Sequence, residues 1–306
     1  MPPWTTADIP SQSGRSALVT GTGGLGYETA LALARAGGEV ILAGRNPDKG
    51  AASVAAIKAA APEADIRFEA LDLASLASVA ALCGRMGAQR KSLDVLINNA
   101  GVMAPPKRQV TADGFELQFG TNYLGHFALT AGLLPLLRAG TAPRVVSLSS
   151  IAHRQARIQF GDLQWERRYI SWAAYGQSKL AMLMFALELQ RRSDAGGWGL
   201  MSNAAHPGIA RTELIANGPG AHGPMSAVMG LLGGVISQPA AAGALPTLMA
   251  ATSPQAKGGA YYGPVGMYEL KGPPGPAAMS GPARDPLAGA RLWQVSEGLT
   301  GVSFKG

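Results

Sequence analysis

One cysteine in 306 residues leaves Cys83 without a partner for an internal disulfide or a thiol cluster, and its alanine-rich helical surroundings suit a buried structural thiol. The four histidines, His126, His153, His206 and His222, have no zinc-binding spacing, so no metal site is expected and each is read as structural. Charged residues make up only 15% of the chain. Its 26 Lys and Arg outnumber 19 Asp and Glu, but they are scattered without a basic stripe or interleaved aromatics, so nucleic acid is not an expected partner. The opening "MPPWTTADIPSQSGR" lacks a cationic start followed by an apolar run, which argues against a signal peptide. The longest apolar stretch, Met225 to Ile236, is broken by glycines and falls short of the roughly 18 residues that a membrane span needs. No membrane span is expected, and a reducing cytoplasm fits the cysteine usage. A serine hydrolase is also disfavoured, because no G-x-S-x-G elbow is present.

What the chain has is apolar material, 47% of it, enough for a sizeable core. Short apolar runs, "SALVTG", "EVILAG", "IRFEAL", "DVLINNAG", "RVVSLSS", "LMSNAAHPG" and "GAYYGP", alternate with alanine- and leucine-rich helical stretches. The alternation predicts an α/β, doubly wound Rossmann fold: a seven-stranded parallel sheet with helices on both faces, forming one domain over residues 1–306. Two segments depart from the pattern. Residues 211–238 are rich in Gly and Met, and residues 263–306 read as an irregular tail because of their Pro and Gly content.

Ligands of such sheets bind beyond the carboxyl ends of the strands, at the switch in strand order. Directly after the first strand, Gly21, Gly23 and Gly26 spell G-x-G-x-x-G, with Gly24 and Leu25 inside the motif. Glycine lets the backbone approach a pyrophosphate closely, at a helix end that offers unpaired N–H groups. An NAD-binding unit places a carboxylate at the end of the second strand, about 20 residues further on. Here that position is Gly44, followed by Arg45 and Asn46. The planar fork of Arg45 matches a phosphate, so the sequence favours NADP(H) over NAD(H).

Tyr175 and Lys179 lie four apart in the helical stretch "SWAAYGQSKLAMLMFALELQRR" and share one face. An ammonium beside a phenol is expected to pull the tyrosine down from its usual value of about 10, as a general acid/base needs. Ser150 ends the fifth strand, where its hydroxyl would face the crevice and hold a substrate oxygen. The remainder of that helix, "LAMLMFALEL", is apolar nearly all round. It needs cover on more than one side, from the sheet and from a symmetry mate in a homodimer, or from the chain's own tail.

Six further signatures follow the glycine loop in order: "LDL" with Asp72, "NNAG" from Asn98 to Gly101, "TNYLGHF" with Asn122, "VVSLSS", "YGQSK", and "HPGIARTEL" from His206 to Leu214. Together they resemble the short-chain dehydrogenase/reductase family, especially its retinol-dehydrogenase-like and protochlorophyllide-reductase-like members, over nearly the whole chain. The family's loop reads T-G-x-x-x-G-x-G, and Thr20 to Gly26 is one residue shorter. The lost position is where NADP-using relatives place a phosphate-binding side chain, which leaves that contact to Arg45.

The resemblance implies hydride transfer between a nicotinamide and a carbonyl or secondary alcohol. Its catalytic residues would be Asn122, Ser150, Tyr175 and Lys179, with Ser150 favoured over Ser149 and Asn122 positioning a water toward Lys179. Asp72, Leu73, Asn99, Ala100 and Gly101 resemble the adenine-side contacts, although Asn99 could equally be a turn residue. Lys179 would also bond the nicotinamide ribose, and Pro207, Gly208 and Thr212 would lie along the nicotinamide. Segment 211–238, with Met225 and Met229, stands where the family closes a lid, which suits a bulky, mostly apolar substrate. Reduction of an activated C=C bond is the second enzymatic reading. A non-catalytic nucleotide sensor is the third, disfavoured because both Tyr175 and Lys179 are present.

Overall fold

A computed structural model describes residues 3–211 and 237–304. Its first two-thirds is a regular alternation of strands and helices. In order come β1 (Ser16–Thr20), α1 (Gly24–Arg35), β2 (Glu39–Gly44), α2 (Pro47–Ala60), β3 (Ile66–Ala70), α3 (Leu76–Gln89), β4 (Val95–Asn98), α4 (Gly125–Arg138), β5 (Arg144–Leu148), α5 (Ser171–Gly196) and β6 (Met201–Ala205). Two-residue strands β7 (Ala210–Arg211) and β8 (Gln238–Pro239) pair with each other, and α6 (Ala240–Thr252), β9 (Tyr261–Gly266), β10 (Lys271–Pro276) and α7 (Pro286–Thr300) complete the described chain.

The helices start where local chemistry tells them to. Asn46 and Ser75 cap α2 and α3 by accepting the N–H of Lys49 and Ser78. Pro47 at the first turn of α2 has no N–H to leave unpaired there.

The sheet order β10-β9-β6-β5-β4-β1-β2-β3 reverses at β1, which pairs in parallel with both β2 and β4. Two apolar cores cover its faces. One gathers residues of α3, α4, α5 and α7, and the other residues of α1, α2 and α6. Winding in both directions from β1 places every strand-end loop of β1 to β6 along one edge of the sheet, the edge that carries the chemistry.

Two expectations change. The sheet has eight strands rather than seven, because β10 adds antiparallel to β9 through a bulge between Lys271 and Pro274. Its sequence, "KGPPGP", reads as a breaker, but an edge strand tolerates proline because its outward side needs no donors. The segment read as an irregular tail also holds α7, started by Asp285, whose carboxylate accepts the N–H groups of Leu287 and Ala288.

That helix has a consequence for assembly. α7 packs on α5, with Trp293 stacked on Phe185 and the Phe304 ring tilted against it. Of the two ways of covering α5 that the sequence left open, a symmetry mate or the chain's own tail, the tail supplies cover through α7.

Candidate active site

The glycine loop is fitted too closely for side chains. Thr20, the last residue of β1, accepts the N–H groups of Asn99 (2.9 Å) and Ala100 (3.0 Å) on its hydroxyl, and Asn99 Nδ2 donates to Thr20 O at 2.7 Å. Asn99 therefore braces the loop from beneath while also lining the smaller of the two cavities there. A Cβ on Gly21, whose φ is +96°, would stand 2.8 Å from Asn99 Nδ2, and one on Gly26 would stand 2.1 Å from Gly21 O. Only glycine fits at these two positions, and the bare backbone at the start of α1 is the cradle that a pyrophosphate requires.

Two cavities share the walls Gly21, Ala100 and Gly101. The larger, about 750 Å³, opens over the ends of β2 and β3 and is lined among others by Thr22, Gly44, Arg45, Asn46, Asp72 and Leu73. Arg45 is exposed at its rim. A Cβ at Gly44 would lie 2.8 Å from the γ-methyl of Thr22, so a carboxylate has no room there without displacing that side chain. Asn46 spends its side-chain oxygen on capping α2. Asp72 shapes the turn into α3, with Oδ1 accepting Ala74 N–H and its own N–H donated to Ser78 Oγ.

The second cavity, about 240 Å³, is lined by Gly21, Gly23, Gly24, Leu25, Ser149, Tyr175, Lys179 and Pro207. Ser150 caps the short turn Ile151–Gln155 after β5, its hydroxyl accepting Ala152 N–H at 3.2 Å, and it lies close enough to Tyr175 to favour the phenolate. The neighbouring Ser149 points inward and donates to Lys179 O at 2.7 Å, tying β5 to α5. The two serines thus have different tasks: Ser149 ties the helix while lining the cavity, and Ser150 caps the turn beside Tyr175. Lys179 Nζ donates to Leu148 O at 3.1 Å and lies 5.9 Å from the Tyr175 ring centroid. A Cβ on Gly101 would stand 2.9 Å from Asn122 Oδ1 and 3.6 Å from Lys179 Nζ, so glycine lets the β4 loop run close to both.

Asn122 lies in the wide helical turn Phe119–Leu124 that leads into α4. Its side chain is fully used. Oδ1 accepts Val102 N–H, and Nδ2 donates to Val102 O and Ser178 Oγ. His126 Nδ1–H donates to Asn122 O, which leaves Nε2 to accept from the Thr20 hydroxyl. Burial holds this imidazole down to about 3, a neutral strut between the glycine loop and the Asn122 turn.

One electrostatic expectation reverses. Burial pushes the Tyr175 phenol up to about 12, against the lowering effect of the nearby Ser150, and pushes the Lys179 ammonium down to about 8. At this ring-to-ammonium distance, desolvation outweighs attraction because both groups are enclosed. Trp172, one turn before Tyr175, was not singled out in the sequence. It is 56% exposed, with its ring 5.4 Å from that of Tyr175, and the three-residue helical spacing was the available signal. Thr212 and nearly all of the lid segment lie outside the described residues.

A family model described as short chain dehydrogenase matches residues 15–219. Retinol dehydrogenase 13 of Homo sapiens is 47% identical over 203 residues, 66% of this chain and 60% of its own length. Polyprenol dehydrogenase of Mus musculus is 40% identical over 299 residues, covering 96% of this chain and 86% of its own. Among solved structures, an uncharacterized protein from Mycobacterium paratuberculosis is 40% identical with a TM-score of 0.81, covering 100% of both chains. A short chain dehydrogenase from Shigella flexneri complexed with NADP is 25% identical with a TM-score of 0.65, over 83% of this chain and 98% of its own.

Proposed function

The chain belongs to the short-chain dehydrogenase family, and from that premise we propose that it is an NADP(H)-dependent oxidoreductase acting on a carbonyl or secondary alcohol of a bulky, mostly apolar substrate. The observation that carries the reading is Tyr175 with Lys179 at the wall of the cavity that Gly21, Gly23 and Gly24 line, and Ser150 close enough to act on the phenol. When bound, the dinucleotide supplies or accepts the hydride. The chain's own residues hold and move the proton: Ser150 holds the substrate oxygen next to Tyr175, and Tyr175 exchanges a proton with that oxygen. A phenol raised to about 12 is protonated at neutral pH, and the alkoxide left by carbonyl reduction is a much stronger base than phenolate. Tyr175 therefore suits the role of proton donor. Lys179, still largely cationic at neutral pH, favours the phenolate that results.

Trp172 and the half-exposed Ile170 beside it support an apolar substrate, since large apolar groups left open next to a catalytic tyrosine offer it area. The relatives named retinol and polyprenol dehydrogenases point the same way. Following NADPH oxidation over a panel of ketones, aldehydes and enones tests the reading. Turnover of ketones or aldehydes is the expected result. Turnover of enones at the C=C bond alone would replace it with the second enzymatic reading, and binding without oxidation would make the chain a sensor.

Cofactor choice rests on Arg45, on the absence of a carboxylate at Gly44, and on the structural neighbour complexed with NADP. A charge-assisted contact to the 2′-phosphate is worth about 1.5–3 kcal/mol, so Arg45→Ala should weaken NADPH roughly 10- to 150-fold. NADH, which has no 2′-phosphate, should bind almost unchanged. A titration in which both weaken alike would remove Arg45 from the choice.

With α5 covered by α7, we expect one chain in solution. Light scattering at micromolar concentration should return the mass of a monomer, and a dimer would require an interface elsewhere on the molecule. A cytoplasmic location remains a proposal, supported by the lone Cys83, whose thiol burial raises to about 11.

A further inference from the structure

The tip of the β9–β10 hairpin holds two consecutive non-glycine residues in left-handed backbone, Tyr268 at φ 56° and Glu269 at φ 62°. Such conformations persist where surrounding contacts over-determine them, and they concentrate at functional sites. Tyr268 is 87% exposed, so its own packing does not hold the tip. The carboxylate of Glu269 does. Its Oε1 accepts Ala278 N–H at 3.0 Å, while Oε2 takes both His206 Nε2, at 3.0 Å, and the Arg154 guanidinium.

Those two partners come from the two loops that face the proposed reaction. His206 follows β6 and begins the Pro207–Gly208 bend that lines the smaller cavity. Its Nδ1 accepts Gly208 N–H at 3.2 Å, so Nε2 must carry the proton that Glu269 receives. The same hairpin tip presents Leu270 O to Ile209 N–H at 2.8 Å, so closely that a Cβ on Gly208 would stand 2.2 Å from it. Arg154 belongs to the turn Ile151–Gln155 that Ser150 caps, and Ser150 O accepts both the N–H and the Nδ1–H of His153 beside it.

We propose that Glu269 is a positioning residue that clamps the Ser150 turn and the His206–Ile209 bend together, fixing the distance between the group that holds the substrate oxygen and the floor on which the nicotinamide end of the cofactor lies. The inference rests on the proposed NADP(H) function for its ligand-binding and kinetic parts, and on the structure alone for amide exchange. Nothing in the local sequence signals it, since Glu269 stands 63 residues from His206.

Amide hydrogen exchange on the unliganded protein reads the clamp without any cofactor. In Glu269→Ala the Gly208 and Ile209 amides should exchange about tenfold faster or more, while the Gly21–Gly26 loop keeps its wild-type rates. NADPH should bind about tenfold more weakly, whereas adenosine 2′,5′-bisphosphate, which lacks the nicotinamide, should stay within about twofold. A general folding lesion would weaken both ligands together. Arg154→Met cuts only the arm to the Ser150 turn, and it should lower kcat at least about fivefold with NADPH affinity within about twofold. That variant carries the kinetic test if Glu269→Ala does not fold. Unchanged amide exchange, equal weakening of NADPH and the bisphosphate, or an unchanged kcat in Arg154→Met would overturn the clamp. A wild-type protein that binds neither ligand would overturn the proposed function instead, and exchange at Gly208 and Ile209 would still decide the clamp.

Discussion

Tyr175→Phe is expected to leave NADPH affinity close to wild type and to lower turnover by roughly 10²–10⁴, the usual contribution of a positioned proton donor. The side chain is only 5% exposed and lies beside the Trp172 ring, so a phenyl group of the same outline keeps the packing and removes a single hydroxyl. That hydroxyl is the proposed proton donor, with Ser150 close by. The pH profile adds a sign. Lys179 titrates at about 8, so the cation beside Tyr175 is fully present well below that pH and is lost as pH rises through it. Carbonyl reduction by the wild-type protein should decline over the same interval, to the extent that turnover depends on the phenolate being favoured. A Tyr175→Phe turnover within about threefold of wild type would remove the tyrosine from the mechanism.

The parallel part of the sheet was legible because its strands are continuous apolar runs bounded by turn residues, a local property of the sequence. The glycine loop was legible for the same reason, with its spacing and its strand–turn–helix context contained in adjacent residues. What braces it was not. Thr20 meets Asn99 and Ala100 from 79 and 80 residues away, and no local pattern reports that pairing. Spacing also placed Tyr175 and Lys179 on one face correctly, yet it gave the wrong direction for the phenol, because burial is a property of the assembled cavity. Ser149 and Ser150 look alike in sequence. Both lie past the end of β5: the first turns inward to Lys179 O while lining the smaller cavity, and the second caps the turn that follows. The C-terminal segment is the opposite case, where signals were present but outweighed. Asp285 before Pro286 is a start signal and Gly301 a stop, but the Pro and Gly runs before them suggested irregular chain throughout.

The largest stability effect should come from that same segment. Trp293 is 1% exposed, stacked on Phe185 at 5.7 Å and 25°, edge-on to Phe127 at 5.1 Å, and 4.2 Å from the Phe304 ring. The Arg192 guanidinium lies 4.4 Å from its centroid, closing the cluster from the α5 side. Removing an indole from such a site loses its transfer free energy and leaves a void the neighbours fill only in part, so Trp293→Ala should cost about 3–5 kcal/mol in denaturant unfolding. Trp293→Phe should cost much less. It keeps a ring in contact with Phe185 and discards an Nε1–H that has no acceptor among the described residues. Concentration dependence then reads the assembly: for a single chain the midpoints of wild type and variant are each independent of protein concentration, whereas a second copy bound at any interface would raise them as concentration rises. A loss under about 1 kcal/mol for Trp293→Ala would show that α7 contributes little to burying the helix bearing Tyr175 and Lys179.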